Sequence, residues 1–364
     1  MRDVTAADLE ALGVYDPGAP HAAQQLELLE YLVSLGATPA DLVAHRDGLP
    51  GLASVVAIRG GKALTVSEAA ERAGVPEDQL LQANRAAGFP EPGPDDRVMS
   101  EQLAGLIAGM AAAEAMFGQE AVLQLLRVMG SAMARLADAI VSAFLVNVEP
   151  SVRDRDPVGL GIARANAEAA ALLPTVSEGL DILLREHVIA ARRTILAESA
   201  ASGYETQRMC VGFVDLVGST ALAQQLSTRE LGGVLIAFEH IASDTVTSAG
   251  GRVVKLIGDE VLYTAADAAS ACTIALNLAN TFRAHPVVPE IRAGLAAGDV
   301  LLRDGDVFGP VVNLAARAVR VAQAGEVVVP ITLATAAGIA NDPLGQHQLK
   351  GFDDDVELCR LRGP

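Results

Sequence analysis

The chain has 364 residues, of which 51% are apolar and 20% are charged, so it is long enough for two globular domains and too apolar for a disordered chain. Its 45 acidic and 27 basic residues give a net charge of −18, which argues against a nucleic-acid partner because such partners require positive surface. The three cysteines, Cys210, Cys272 and Cys359, form no C-x-x-C pair and are expected to be reduced core residues.

The first half of the chain, residues 1–203, is predicted to be an all-helical domain. Its apolar residues recur at spacings of three and four, and strand-like alternation is rare. A break rich in proline and glycine, from Phe89 to Asp96, separates an N-terminal bundle from longer apolar helices.

Residues 64–86 have the pattern of a helix-turn-helix, with Gly74 at the turn and Pro76 opening the second helix. This pattern raises a second class of function, a DNA-binding regulator. The surrounding segment 62–96 holds three basic and seven acidic residues, and Glu77 and Asp78 begin the second helix. Phosphate would be repelled there, so we expect a packing role for this segment.

The most apolar region runs from Leu103 to Val148. Charged residues interrupt it before any uncharged run reaches the roughly 18 to 20 residues that span a bilayer, so the prediction is buried helix without a membrane span. Small residues dominate Leu103–Ala115 and can leave an apolar channel, which suggests a fatty-acid-like ligand. The N-terminus has no basic start followed by an apolar stretch, and a cytoplasmic location is expected.

A further helix is predicted from Thr175 to Ala201, just after the helix breaker Pro174. Its part from 177 to 203 is a candidate coupling helix, because it leads from the helical domain into the rest of the chain. His187 lies within it and is of the residue type that changes charge near physiological pH, so the helix is a candidate acid-responsive switch.

From residue 204 to 364 the pattern changes to that of an α+β domain. Short runs rich in β-branched residues alternate with segments of helical length, as in a sheet covered by helices. The predicted strands are Cys210–Leu216, Arg252–Ile257, Ile291–Ala297 and Glu326–Val329.

Two carboxylates are expected to meet at one edge of this sheet. Asp215 comes near the end of an apolar strand, before a glycine turn that opens a helix with Ser219 or Thr220 as its cap. Asp259 follows Gly258 in a predicted hairpin turn between two buried strands. If the strands are neighbours, the two like charges require a hard divalent cation, and Mg²⁺ bridging nucleotide phosphates is the simplest one. Glu260 is a weaker candidate because its side chain is expected to point away.

Lys255 is unusual because it stands inside an apolar run, on the predicted pleat face of Val253 and Ile257. A buried lysine needs an acceptor, whereas a lysine on an edge strand can extend into solvent. Farther along, Asn313 and Arg317 are four residues apart on a helix that a Gly-Pro pair starts. An amide and a guanidinium on one face suit a phosphate, and a helix cap with a surface arginine is the structural alternative.

The four sequence features described above, taken in their order along the chain, resemble the class III nucleotidyl cyclases over about residues 208–362. The resemblance implies a ferredoxin-like βαββαβ catalytic domain and a homodimer with head-to-tail catalytic domains and active sites at its interface. The helical first half is similar to that of soluble actinobacterial adenylyl cyclases, in which it is a regulatory domain.

By this resemblance Asp215 and Asp259 are the metal ligands for two Mg²⁺ or Mn²⁺ ions per active site. Lys255 and Asp306 are the pair that reads the base.

Asn313 and Arg317 are, by the same resemblance, the pair that stabilises the transition state. Lys350, in the short block Leu349–Phe352, is the residue that contacts the terminal phosphates.

The base-reading pair favours ATP. Adenine presents an acceptor at N1 and a donor at N6, which complement the donor Lys255 and the acceptor Asp306, whereas guanine reverses that edge. The implied activity is that of an adenylate cyclase, with a guanylate cyclase as the alternative. A diguanylate cyclase is disfavoured because the chain has Ile257 in place of the first glycine of that family's Gly-Gly-Asp-Glu-Phe motif. A catalytically inactive scaffold is disfavoured because each matched position keeps a competent side chain.

Overall fold

The computed structural model describes residues 4–59, 63–153, 156–198 and 206–363, with the side chains of 193–198 excepted. The chain divides into two compact units, Met1–Ala190 and Ala191–Pro364. The predicted domain boundary between residues 203 and 204 lies outside the described residues.

The first unit is helical, with one pair of two-residue strands. Its elements are α1 (Ala6–Ala11), α2 (Ala22–Ser34), α3 (Pro39–Ala44), α4 (Leu49–Ile58), β1 (Ala63–Leu64), α5 (Val66–Ala73), α6 (Glu77–Ala86), β2 (Met99–Ser100), α7 (Glu101–Phe117), α8 (Gln119–Asn147), α9 (Glu149–Arg153), α10 (Leu160–Ala170) and the start of α11 (Leu173–Glu198). Pro174 therefore lies in the first turn of α11, where a missing N–H costs no helical hydrogen bond, and does not precede the helix as predicted.

Two apolar clusters hold the first unit together. One joins residues of α1 to α4 with α10 around Leu29, Leu32 and Leu52. The other joins α5 and α6 with α7 and the beginning of α8 around Leu80, Leu123 and Leu126. The second cluster thus draws on both sides of the proline- and glycine-rich break, which separates helices in sequence and not in packing.

The predicted helix-turn-helix is present as α5 and α6. Gly74 ends α5 with a φ of +70°, a left-handed conformation that glycine adopts without strain. The second helix is covered by the chain itself: Gln79 Nε2 donates to Glu114 Oε1 at 3.1 Å, and Gln119 Nε2 donates to Gln82 Oε1 at 3.3 Å. Two of its polar side chains therefore contact the α7–α8 corner, and Glu77, Asp78 and Arg85 stay exposed.

The expectation that 103–148 is buried is wrong for most of α8. Its first turns pack on α6 and α7, whereas beyond them Val141 is 56% exposed and Val146 is 70% exposed. The stretch Gln119–Arg153 is long and apolar enough to cross a membrane, with a mean hydropathy of 1.5 in its most apolar window, none of which is buried. Apolar composition predicted burial, but the helix extends past the neighbours that cover its beginning.

The second unit is built on one eight-stranded sheet. Its elements after α11 are β3 (Thr206–Leu216), α12 (Ser219–Gln225), α13 (Thr228–Ser248), β4 (Arg252–Ile257), β5 (Glu260–Ala265), α14 (Ala268–Arg283), β6 (Ile291–Arg303), β7 (Asp306–Phe308), α15 (Pro310–Val321), β8 (Val327–Pro330), α16 (Ile331–Ala337), β9 (Asn341–His347) and β10 (Val356–Leu361). The strand order is β4-β5-β3-β6-β8-β10-β9, and β7 pairs with β6.

The first four strands of the sheet and their helices form the predicted βαββαβ core. The antiparallel neighbours β4, β5, β3 and β6 lie in the order of a ferredoxin-like sheet, so the fold class is confirmed. Helices α13 and α14 cover one face around Phe238, Phe282 and Tyr263. Helix α15 covers the other face around Phe213, Leu262 and Ala315.

The three cysteines are buried and unpaired in this unit, as predicted. Burial raises the pKa of Cys210 to about 11 and that of Cys272 to about 12, because the thiolate is poorly solvated inside the core.

Helix α15 lies unusually close to β6 at Gly294. A Cβ atom there would lie 2.1 Å from the backbone nitrogen of Val319 and 2.6 Å from the carbonyl oxygen of Ala315, so only glycine fits without a shift of the helix. Gly294 thus sets the depth at which α15 packs, and with it the positions of the residues that α15 carries.

We expect Gly294→Ala to lower the free energy of unfolding by about 2 kcal/mol, because the added methyl group meets backbone atoms. Gly233→Ala on α13 is the matched control: its Cβ meets nothing within 4 Å, and alanine should stabilise that helix by about 0.5–1 kcal/mol. Urea unfolding of the full chain measures both. Equal stability of the two variants would contradict the close packing of α15.

Candidate active site

Asp215 and Asp259 lie at one corner of the sheet. Asp215 is the penultimate residue of β3. Asp259 follows Gly258, which has a φ of +64° in the turn between β4 and β5. Asp215 faces Glu260 across the β3–β5 ladder, and the N–H of Leu216 donates to the carbonyl oxygen of Asp259 at 3.0 Å. Neighbouring strands therefore bring the two carboxylates together. The helix after Asp215 has Gly218, not a serine or threonine, as its cap.

Arg292 is a member of this corner that the sequence reasoning missed. It lies opposite Asp215 in the β3–β6 ladder, and its Nε and Nη2 donate to Asp215 Oδ2 at 2.8 and 2.5 Å. An arginine inside the apolar run Ile291–Ala297 is the same kind of signal as Lys255, and it was present in the sequence. Its partner depended on a strand register that the sequence does not give.

The corner has the donor chemistry of a magnesium or manganese site. Burial, then the charges of Asp215 and Asp259, raise the pKa of Glu260, while Arg320 and Arg292 act in the opposite direction. The described residues contain no group of three or more ligating side chains. Two carboxylates are nevertheless enough for Mg²⁺, which takes its remaining ligands from water and substrate phosphates.

Lys255 and Asp306 form a direct ion pair. Lys255 Nζ lies 2.5 Å from Asp306 Oδ2, and Asp306 Oδ1 accepts a hydrogen bond from the N–H of Val307 at 2.8 Å. The side chains are 37% and 26% exposed, so they form a partly open pair of one donor and one acceptor.

The prediction that Lys255 lies on the same pleat face as Val253 is wrong. The register of β4 on β5 shifts between Val253 and Lys255, so that Val253 faces Tyr263 and Lys255 faces Leu262 on the opposite side of the sheet. This β-bulge inserts an extra residue and changes the alternation that the sequence pattern assumed.

Asn313 and Arg317 project from α15, which Pro310 opens as expected. Asn313 is exposed, and Arg317 Nε donates to the carbonyl oxygen of Lys350 at 3.3 Å. The side chain of Lys350 is exposed in the loop before Gly351. The structure thus brings Arg317 and the Lys350 block together.

The seven candidate residues form three groups in one chain: the carboxylate corner, the Lys255–Asp306 pair, and α15 with the Lys350 loop. No hydrogen bond or ion pair joins these groups within the described part of the chain. Together they offer acidic metal ligands, a donor–acceptor pair for a base edge and cationic groups for phosphates.

Two known protein families match this chain, one over its first half and one over its second half. A family described as the adenylate cyclase regulatory domain matches residues 9–208, and one described as the adenylate and guanylate cyclase catalytic domain matches residues 202–357. The chain therefore belongs to the class III cyclases of the actinobacterial type, as the sequence motifs indicated. Within that class it is an adenylate cyclase.

Named relatives agree with this assignment. An adenylate cyclase of Streptomyces coelicolor is 35% identical over 74% of this chain and 70% of its own length. A pH-sensitive adenylate cyclase of Mycobacterium tuberculosis is 27% identical over all of this chain and 94% of its own length. Among solved structures, the adenylyl cyclase CyaB of P. aeruginosa matches 44% of this chain at 25% identity and a TM-score of 0.40.

Proposed function

We propose that the chain converts ATP into 3′,5′-cyclic AMP and pyrophosphate at active sites shared by two copies of the chain. The ion pair between Lys255 and Asp306 carries the choice of substrate, because it presents one donor and one acceptor side by side. Adenine N1 and N6 complement this pair, whereas guanine leaves polar groups facing like partners, at a cost of about 1–3 kcal/mol each. Relatives named adenylate cyclases support the proposal.

Asp215 and Asp259 would hold the Mg²⁺ or Mn²⁺ ions. When bound, such ions lower the pKa of the ribose 3′-hydroxyl and neutralise charge on the triphosphate. In the reaction the 3′-hydroxyl releases its proton to water, its oxygen forms a bond to the α-phosphorus, the bond from that phosphorus to the bridging oxygen breaks, and pyrophosphate leaves. Arg292 donates two hydrogen bonds to Asp215 Oδ2 and would orient this carboxylate for the metal.

The cationic groups of this chain stabilise the charge that develops on the phosphates. Arg317 and Asn313 project from one face of α15 and would contact the α-phosphate in the transition state, in which negative charge increases. Lys350 would contact the terminal phosphates from its exposed loop. These roles need a pyrophosphate leaving group, and so they fit cyclisation of a nucleoside triphosphate.

A head-to-tail homodimer would bring the groups together. The carboxylate corner and the α15 group are separate within one chain, and two-fold pairing of the catalytic domains would place one group of each copy at each site. The alternative of a guanylate cyclase requires guanine to bind Lys255 and Asp306 against their polarity. A DNA-binding regulator is disfavoured, because α6 is held against α7 and α8 through Gln79 and Gln82.

We further propose that residues 1–203 regulate the catalytic domain, residues 204–364, through the coupling helix at 177–203. The part of α11 from Asp181 to Arg192 is exposed, and apolar side chains such as Leu184, which is 64% exposed, can dock in more than one position. His187 lies in the same exposed stretch of α11, which also carries the Arg185–Asp181 ion pair. A relative named as pH-sensitive supports an acid-responsive switch.

A fatty-acid-like ligand is predicted at Leu103–Ala115, and the regulatory domain offers a second candidate site for such a ligand elsewhere. The first unit contains a cavity of about 870 Å³, which is large enough for a small amphiphile. Leu35, Val56 and Met99 contribute apolar wall, while the arginines of the lining are paired, Arg59 with Asp41 and Arg97 with Glu68.

The proposed activity is tested by incubating the purified full chain with ATP or GTP in Mg²⁺ or Mn²⁺. We expect cyclic AMP from ATP and much less cyclic GMP from GTP. A chain that prefers GTP would contradict the role of the Lys255–Asp306 pair and support the guanylate cyclase alternative.

The regulatory proposal predicts that the full chain and a chain beginning near residue 203 differ in activity. We expect the specific activity of the full chain to change between about pH 5.5 and 8, where histidine changes charge, while that of the short chain changes less. His187→Ala in the full chain should flatten the difference. The same pH profile and specific activity in both chains would exclude regulation by the helical half.

A further inference from the structure

Arg252, the first residue of β4, contacts the hairpin that carries Asp306. Its Nη2 donates to the carbonyl oxygen of Gly305 at 3.1 Å. Gly305 and Asp304 form the tight turn between β6 and β7, with φ values of +81° and +59°, as a two-residue hairpin turn of the primed type requires. The next residue is Asp306, the acceptor of the proposed base-reading pair.

The β-bulge in β4 explains how Arg252 reaches this hairpin. Residues three apart on a regular strand point to opposite faces of a sheet. The shift between Val253 and Lys255 adds one residue, so that Arg252 faces Thr264 and Lys255 faces Leu262, which lie on the same side of β5. Arg252 and Lys255 therefore reach the β6–β7 hairpin together.

The Arg252 contact acts at the turn of this hairpin. Strand β7 has three residues, pairs with the end of β6, and lies off the main path of the sheet. Its middle residue, Val307, is buried in the core, whereas the turn at Asp304 and Gly305 lies outside that core. Lys255 is itself a flexible side chain, so the Lys255–Asp306 ion pair does not fix the carboxylate by itself.

We infer that Arg252 is a positioning residue for base recognition: it fixes the carbonyl of Gly305 and thereby places Asp306 for the adenine edge. This inference rests on the proposed function and adds a residue that neither the motifs nor the comparisons assign. Arg252 would not touch the base or the phosphates, so its contribution is to substrate binding and selectivity and not to the chemical step.

The first test is steady-state kinetics of the full-length variant Arg252→Ala. We expect the KM for ATP to rise about three- to tenfold, as for the loss of one solvent-exposed hydrogen bond, with kcat within about twofold of wild type. The preference for ATP over GTP should fall by a similar factor. Arg252→Lys keeps the charge and one donor, and should recover part of the loss.

Arg303→Ala is the matched control, because it removes one arginine charge next to the same hairpin turn. Arg303 pairs with the neighbouring Asp304 at 3.4 Å and has no hydrogen bond to the Gly305 carbonyl. We expect this variant to keep the wild-type preference for ATP. An equal loss in Arg303→Ala would show that local charge, not positioning, is responsible, and would overturn the inference.

The decisive test is a double-mutant cycle with Asp306→Ala. If Arg252 acts through Asp306, then Arg252→Ala changes the KM for ATP and the preference for ATP by less than about twofold once Asp306 is absent. The same loss in both backgrounds would overturn the inference, and so would a loss confined to kcat.

A wild-type chain without cyclase activity would contradict the proposed function and not the role of Arg252. The role would then be measured as the affinity for a non-cyclisable ATP analogue relative to the corresponding GTP analogue. A lower preference in Arg252→Ala than in Arg303→Ala supports the inference, and equal preferences overturn it.

Discussion

Asp259→Asn should abolish the formation of cyclic AMP while leaving the fold intact. The substitution keeps the shape of the side chain and removes a ligand charge from the carboxylate corner. We expect activity to fall by more than about 100-fold. Loss of a residue that only hydrogen-bonds to a metal ligand already lowers metal affinity or activity by about 10–100-fold, and Asp259 is itself a proposed ligand. Stability should not decrease, because the substitution removes a like charge beside Asp215 and Glu260.

Asp215 provides the contrasting case. Its side chain is 15% exposed and is bound by Arg292, so Asp215→Ala removes the partner of a partly buried guanidinium. We expect a loss of activity together with about 1–3 kcal/mol of stability. Cyclic nucleotide assays and urea unfolding separate the two effects. Retained activity in Asp259→Asn would remove Asp259 from the metal site.

Mixing two inactive variants should restore activity. A chain with Asp259→Asn and a chain with Asn313→Ala each spoil both sites of their own homodimer, but the mixed dimer has one intact site if the two groups come from opposite copies. Random exchange makes half of the dimers mixed, so we expect recovery of about one quarter of the wild-type activity.

The matched control is a mixture of Asp259→Asn with Asp215→Asn. Both changes lie in the same group, so every mixed site is defective and no activity should return. Subunit exchange is verified with differently tagged chains. Verified exchange without recovery in the first mixture would exclude a head-to-tail arrangement of the catalytic domains.

The ferredoxin-like core was predictable because its strands and helices have strong local signals. A run of β-branched residues predicted β4. The Gly258–Asp259 pair predicted a turn, and the Gly309–Pro310 pair predicted the start of a helix. The residues alone left the adjacency of the strands open, and the resemblance to class III cyclases implied a ferredoxin-like order. The convergence of Asp215 and Asp259 followed from that topology.

Features that depend on register and on tertiary partners were not predictable. The bulge in β4 moves Lys255 to the face opposite Val253, and no residue of the apolar run 253–257 indicates a bulge. The pairing of Arg292 with Asp215 depends on the alignment of β3 with β6. The exposure of α8 depends on where its neighbouring helices end, which an apolar sequence does not encode.

The most direct test of the central claim is to follow the phosphorus-31 NMR spectrum of ATP during turnover by the full-length chain. We predict that cyclic AMP and pyrophosphate appear in equal amounts, because attack by the 3′-hydroxyl on the α-phosphorus releases both together. Formation of ADP and inorganic phosphate, or no turnover with either Mg²⁺ or Mn²⁺, would contradict the account.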